Sequence, residues 1–397
     1  VLRFDDFLQQ TEAVKPTPWN RTGLWRDEDD LEFFSWLQEN GIYPASTKAA
    51  AEVIRIESQL NRYHPILALL DDAAAAWDRK PRIDNWLTRY LGAGDGPPDY
   101  PEYFKKIGAR FLLQAVARIY DPGSKADYTL VSQGGTGRYK STCFQYLFDP
   151  WFTDKLPDIA GPEAPRLLRR VWGVEIGELD GISRREVSTV KSFLTRRTDY
   201  IRDLWGRHYY DQPRHTVFTA STNDVEFLKD VTGNRRFWIV PVIGYGNPEG
   251  LLKDRLQILG EAVMRYRQRE RYWIDERIEP ELAQAAAAMC DERMELDIWE
   301  DAALSFIERR GRDITINEFL TGSVTDGALG KDLRDCVPND YHRVSRILQG
   351  AGYEKYREKT GSRDKRWKKK EAENPDAPYC HNCGGHHLNE CAVPDGQ

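Results

Sequence analysis

Tyr128-Thr-Leu-Val-Ser-Gln-Gly-Gly-Thr-Gly-Arg-Tyr-Lys-Ser-Thr-Cys-Phe144 is the stretch that decides the fold. A short apolar run ends in three glycines within four residues, Gly134, Gly135 and Gly137. A lysine, two hydroxyls and an amphipathic run follow. That is the order of a strand, a glycine-rich turn and a helix whose N-terminus faces an anion. Glycines let backbone N–H groups curl around phosphate oxygens. The pattern G-x-x-x-x-G-K-[ST] fits from Gly134 to Ser141 at every position but one, because Tyr139 stands where glycine is expected. The nucleotide-binding set is Gly134, Gly135, Thr136, Gly137, Arg138, Tyr139, Lys140, Ser141 and Thr142. Lys140 reaches the outer phosphates of ATP, and the Ser141 hydroxyl sits on Mg2+. Right-handed helical angles remain open to a non-glycine residue at position 139, with its ring beside the base or sugar.

Outward from this loop, the chain of 397 residues has room for two or three domains. No run approaches the roughly 18 apolar residues of a membrane span, and no signal peptide is apparent. The chain begins at Val1 without an initiator methionine, which reads as part of something longer. Six cysteines, three of them scattered, are not a disulfide framework. The expected setting is a reducing cytoplasm. The net charge of −6 argues against a uniformly basic nucleic-acid binder. The charge is uneven, however, and a basic run between Tyr341 and Lys370 includes Arg343, Arg346, Lys365 and Arg366.

Apolar spacing predicts helices over Lys48–Leu60, from Pro65, and over Tyr103–Ile119, so residues 1–120 read as an N-terminal helical region. Beyond the loop, apolar runs ending at Glu178, Asn223 and Val242 alternate with helical segments. That alternation predicts an α/β core over 121–296. Over 297–370, Ala302–Arg310, the capping box Thr315-x-x-Glu318, a helix over Asp340–Leu348 and a basic hairpin spell a winged helix. The segment 376–397 reads as a tail of zinc-knuckle type.

Several constellations carry chemistry. Glu175 and Glu178 close a core strand. An NTPase needs one carboxylate on the metal side, here Glu175, and one to polarise water, here Glu178. Asn223 ends the next strand, where an amide can orient water or touch the γ-phosphate. Arg235 or Arg236 is the candidate for transition-state charge on a neighbouring subunit's nucleotide. Lys191, Arg196, Arg197, Arg202 and Arg207, interleaved with Tyr200, Trp205 and Tyr209, read as a DNA-binding segment. Cys380, Cys383, His386 (or His387) and Cys391 can enclose Zn2+.

These residues resemble the virulence-associated protein E family of AAA+-like, superfamily 3-like P-loop ATPases of phages and mobile elements. The resemblance is carried by Tyr63-His-Pro65, Trp77-Asp-Arg-Lys-Pro-Arg-Ile-Asp84, Ala115-Val-Ala-Arg118 and Pro122-Gly-Ser-Lys125, then the phosphate loop. Val174-Glu-Ile-Gly-Glu-Leu-Asp180, Val190-Lys-Ser-Phe-Leu-Thr-Arg-Arg197, Thr222-Asn223 and Gly233-Asn-Arg-Arg-Phe-Trp238 complete it. It implies an α/β P-loop NTPase core and a DNA-dependent ATPase, a ring-forming helicase module assembled as a hexamer. Asn223 is then the sensor, Arg235 or Arg236 the finger supplied in trans, and the Lys191–Arg214 segment the pore-lining DNA element. Such proteins often follow a primase-polymerase domain. The alternative is a nucleotide-dependent DNA-binding initiator or scaffold with little or no hydrolysis, which Tyr139 and the separate basic unit favour.

Overall fold

A computed structural model describes residues 2–159, 161–177, 184–202, 208–228, 234–294, 299–311, 313–357, 365–369, 379–380 and 385–386. The chain divides into two compact units, Val1–Glu295 and Leu296–Gln397. Among the described residues no helix is long and apolar enough to cross a membrane.

The N-terminal region is mixed, not helical throughout. Strands β1 (Leu2–Asp5), β2 (Gln10–Ala13) and β3 (Gly23–Leu24) precede helices α1 (Asp27–Glu39) and α2 (Thr47–Gln59). Strand β4 (Arg62–Tyr63) then joins β1 in parallel, giving the order β3-β2-β1-β4. The turn after β1 is set locally. The Asp5 carboxylate accepts from the Phe7 and Leu8 amides at 2.8 and 2.9 Å, a side-chain bond that competes with helix.

Helices α3 (Pro65–Ala75) and α4 (Tyr103–Tyr120) follow. The next elements are β5 (Thr129–Gln133), α5 (Lys140–Phe148), β6 (Phe152–Thr153), α6 (Glu163–Leu168) and β7 (Gly173–Ile176). After them come α7 (Arg184–Leu194), a hairpin of β8 (Thr198–Ile201) and β9 (Tyr210–Pro213), β10 (Val217–Thr222) and β11 (Phe237–Pro241). Helices α8 (Pro248–Arg267) and α9 (Pro280–Asp291) close the unit.

Five of these strands form one all-parallel sheet in the order β11-β5-β10-β7-β6. Side chains alternate across it. Leu130, Trp238 and Val240 join a core that includes Ile66 and Leu70 of α3, Phe111 of α4, Phe144 of α5 and Leu259 of α8. Val131, Phe218, Phe237 and Ile239 join a second core with Leu168, Phe193 and Cys290. Both faces are covered, as a parallel sheet requires. Tyr128 stacks on Trp238 with ring centroids 4.2 Å apart, fixing β5 to β11 at their starts. Helices α3 and α8 approach closely because Gly260 has no side chain. A Cβ there would come within 2.2 Å of the Ala73 carbonyl oxygen.

The second unit contains α10 (Glu300–Arg310), β12 (Ile314–Thr315), α11 (Ile316–Thr321), α12 (Pro338–Gly350), β13 (Tyr353–Arg357) and β14 (Lys365–Lys369). Its sheet is antiparallel in the order β12-β14-β13. Phe306, Phe319, Val344, Leu348 and Trp367 form its core. The capping box is present. Thr315 N–H donates to Glu318 Oε2 at 2.7 Å, and Glu318 N–H to Thr315 Oγ1 at 3.2 Å.

Candidate functional site

The C-terminal ends of β5 and β10 lie side by side, with Thr222 paired to Gln133. The phosphate-type loop leaves β5 at this edge and enters α5. Ligands of open parallel α/β sheets bind at such an edge, and the start of α5 adds a positive helix terminus. A cavity of about 320 Å³ sits here, lined by Thr136 to Thr142, Ser221, Thr222 and Asn223. The loop therefore brings together seven of the expected nucleotide contacts and, from the neighbouring strand, Asn223. Gly134 is needed for close approach, since a Cβ would come within 2.5 Å of the Val242 carbonyl oxygen.

Lys140 is the centre of the site and is 8% exposed. Its ammonium donates to the carbonyl of Gly134, to those of Gly135 and Thr222 at 3.4 and 3.3 Å, and to Asn223 Oδ1 at 3.1 Å. Burial lowers its pKa, the Glu175 carboxylate opposes that, and Arg138 adds to it. The Arg138 guanidinium is itself held by the carbonyls of Ile243 and Gly244, and its own carbonyl accepts from Gly246 N–H at 2.9 Å. This ties the loop to the segment after β11.

Glu175 is 1% exposed on β7, and its Oε1 accepts from the Ser141 hydroxyl at 2.8 Å. Its other oxygen has no hydrogen-bond partner among the described residues. Burial raises its pKa, against the pull of the Ser221 and Ser141 hydroxyls, with Asp154 adding to the rise and Lys140 opposing it. An acid with a raised folded-state pKa loses stabilisation as pH climbs from its unfolded value of 4.5 through the folded one. Glu175→Gln cannot ionise. The variant is expected to unfold at a higher temperature than wild type above that window, and the difference to vanish below it. Thermal melts across a pH series measure this.

The family model of the virulence-associated protein E-like domain matches residues 70–294, more than half of the 397-residue chain. The chain belongs to this family. Among solved structures, this virulence-associated protein E-like chain is similar to the A-form apo structure of the NrS-1 C-terminal region (305–718). The identity is 12%, the coverage 92% of this chain and 95% of that one, and the TM-score 0.40. A second apo structure of that region matches at 12% identity, over 88% of this chain and 82% of that one, with a TM-score of 0.38. No curated protein matches it in sequence.

Tyr139 differs from expectation. It adopts φ 59° and ψ 23°, the left-handed region, not right-handed helical angles. The loop demands here what glycine supplies freely, and a side chain pays a steric cost of roughly 1–2 kcal/mol. The ring is 55% exposed, so little packing offsets that cost. Tyr139→Gly is therefore expected to stabilise the protein by roughly 0.5–1 kcal/mol in denaturant titration, after allowing for the freer unfolded chain. Tyr139→Ala, which keeps the Cβ, is expected to show no such gain.

Arg235 and Arg236 are not beside Lys140 in the same chain. Phe237 pairs with Thr129 in parallel register, so both arginines lie at the starting edge of the sheet, while the loop leaves the far edge. Five strand residues separate the two edges by about 16 Å. There the arginines line a larger cavity of about 710 Å³ with Tyr128, Gln284 and Asp291. Glu178 and Arg207 lie outside the described residues.

The basic segment divides by burial. Lys191 is 4% exposed and Arg214 2%. Arg196 and Arg197 are exposed, the latter donating to the Gly123 carbonyl at 2.7 Å. Tyr200 and Tyr209 stack on the β8–β9 hairpin with centroids 5.1 Å apart, and the Arg202 guanidinium lies 5.3 Å from the Tyr209 ring. In the second unit the Arg343 guanidinium lies 4.1 Å from the Trp299 ring, Arg366 donates to the Asp313 carbonyl at 3.3 Å, and Lys365 is exposed. The side chain of Arg346 lies outside the described residues.

The zinc expectation is corrected. Among the described residues no group of three or more His, Cys, Asp or Glu side chains is placed to hold a metal ion. A zinc cage needs four converging donors. Tyr379–Cys380 instead pairs antiparallel with Gly385–His386, and Cys383 and Cys391 lie outside the described residues. The two residues expected on the magnesium side, Ser141 and Glu175, face each other in a hydrogen bond.

Sequence reading missed Gln133 and Arg293, which buttress the turn that carries Asn223. The one signal was a polar residue closing a strand that is otherwise apolar or hydroxylic, just before the first glycine.

Proposed function

We propose that this chain is a nucleotide-dependent DNA-binding module of a phage or mobile-element replication protein, an initiator or scaffold that binds a nucleoside triphosphate to order its assembly. The observation that carries this reading is the ammonium of Lys140. It lies at the N-terminus of α5, among the Gly134, Gly135 and Thr222 carbonyls and Asn223, over a cavity open at the sheet edge. An incoming phosphate chain exchanges the ammonium's bonds to neutral carbonyls for bonds to anionic oxygens. The exposed Tyr200–Tyr209 stack and the adjacent Arg202 suit single-stranded bases and phosphates. The three helices and antiparallel sheet of the second unit, with Arg343, Lys365 and Arg366, suit a winged helix on duplex DNA.

Turnover is the second reading, supported by Glu175 and Asn223 at the loop and by the family resemblance to ring-forming helicases that work beside a primase or polymerase. Three observations favour binding over turnover. Glu175 is buried and hydrogen-bonded to Ser141, its raised pKa makes it a harder group to ionise, and Tyr139 occupies a strained position in the loop. The test is titration with ATP, with and without single-stranded DNA, while phosphate release is followed. Tight binding with no DNA-stimulated release is the expected result. Strong DNA-stimulated release makes the chain a motor, and no binding ends the nucleotide reading.

A further inference from the structure

Gln133 is the last residue of β5 and directly precedes Gly134. Its side chain is buried, with the residue 7% exposed, and both amide N–H donors and one lone pair of the amide oxygen are committed. Its Nε2 donates to the carbonyls of Asp224 and Val225, both at 3.0 Å. Its Oε1 accepts from Arg293 Nε at 2.8 Å. A flipped amide would set an oxygen against two carbonyls and an N–H₂ against a guanidinium, so the orientation is fixed by its partners.

Arg293 is braced in turn. Its Nη1 donates to the Met289 carbonyl at 2.9 Å and to Glu292 at 2.7 Å. Its own carbonyl accepts from Phe227 and Leu228 N–H at 3.1 and 3.0 Å. The exposed turn that carries Asn223 is thus clamped twice, by Gln133 at Asp224–Val225 and by the Arg293 backbone at Phe227–Leu228. A buried amide held on both its donor and its acceptor side specifies one arrangement.

The turn matters because of where it holds Asn223. In a loop of this kind the backbone N–H groups cradle the inner phosphates of a nucleotide. Asn223, the residue just after β10, lines the same cavity and accepts from the Lys140 ammonium at 3.1 Å, and a lysine at this place in such a loop reaches the outer phosphates. We infer that Gln133, braced by Arg293, is a positioning residue that sets the Asn223 turn against the phosphate loop, so that discrimination between nucleoside triphosphate and diphosphate depends on it. This rests on the proposed nucleotide site.

Calorimetric titration with ATP and with ADP tests it, on wild type, Gln133→Ala, Arg293→Lys and Lys140→Ala, with thermal melts as the control for folding. Gln133→Ala is expected to weaken ATP binding about tenfold, the scale of one hydrogen bond to a charged group, while ADP stays within about twofold of wild type. Arg293→Lys keeps the charge beside Glu292 but loses the fixed Nε–H. It is expected to shift the ratio in the same direction by less, and it serves if Gln133→Ala does not fold. Equal losses for ATP and ADP, or an unchanged ratio in both variants, overturn the inference. If that happens while wild type binds and Lys140→Ala does not, the nucleotide site stands without it. If wild type binds neither nucleotide, or Lys140→Ala binds as well as wild type, the site and the inference fall together.

Discussion

Lys140→Ala is expected to weaken nucleotide binding by roughly 100-fold or more. Charge-assisted hydrogen bonds to phosphate are worth roughly 1.5–3 kcal/mol each, the ammonium has three donors, and each 1.4 kcal/mol is about tenfold in affinity. The neighbouring cation cannot take over, because Arg138 is tied to the carbonyls of Ile243 and Gly244. Stability is expected to change little. The substitution removes a buried charge whose pKa is already lowered by burial, and two of the released partners, Thr222 and Asn223, border a cavity of about 320 Å³ that admits water. Lys140→Arg is expected to recover only part of the loss, since a planar guanidinium does not replace a compact ammonium under a tight loop. Calorimetric titration beside thermal melts separates the two effects. Wild-type affinity in Lys140→Ala would remove the phosphate loop from function.

The parts of the fold set by local period were legible in the sequence. Tyr103–Tyr120 shows helical spacing along its length. The strands ending near Glu175, Asn223 and Val240 stand out as apolar runs between turn residues. The N-terminal sheet was not legible, because β3 and β4 are two residues each and β1 finds β4 some sixty positions away. No window of sequence holds that pairing. The same holds within the site. Lys140, Ser141 and Asn223 follow from the motif and the strand ends, whereas Gln133 acquires its place through Arg293, 160 residues downstream. Tyr139 misled for the opposite reason. A tyrosine disfavours left-handed angles, so its identity argued against the conformation that the surrounding loop imposes on it.

Charge runs were the least legible feature, since a basic residue in sequence carries no sign of whether it faces water or a buried acid. Arg214 shows the consequence, and Arg214→Ala is expected to destabilise the protein by about 3–5 kcal/mol, the cost of breaking a buried ion pair. Its Nε and Nη2 donate to the two Asp199 oxygens at 2.5 and 2.7 Å, with both side chains at most 2% exposed. A further nitrogen donates to the Phe193 carbonyl, and the guanidinium lies 4.4 Å from the Phe193 ring. Alanine would leave the Asp199 carboxylate buried without its partner, which is costlier than losing both charges. The double variant Arg214→Leu/Asp199→Leu is accordingly expected to regain a large share of the loss, and chemical denaturation of the two single variants and the double one measures the coupling. The pair joins the first residues of the β8–β9 hairpin to the residue just after it, so it fixes the base of the element that carries Tyr200, Tyr209 and Arg202. If that hairpin is where single-stranded DNA lies, the double variant, with its fold largely restored, is expected to keep its DNA affinity. Tyr209→Ala, which removes an exposed stacking ring, is expected to lose affinity without loss of stability, so melts and DNA titration together tell the anchor from the contact.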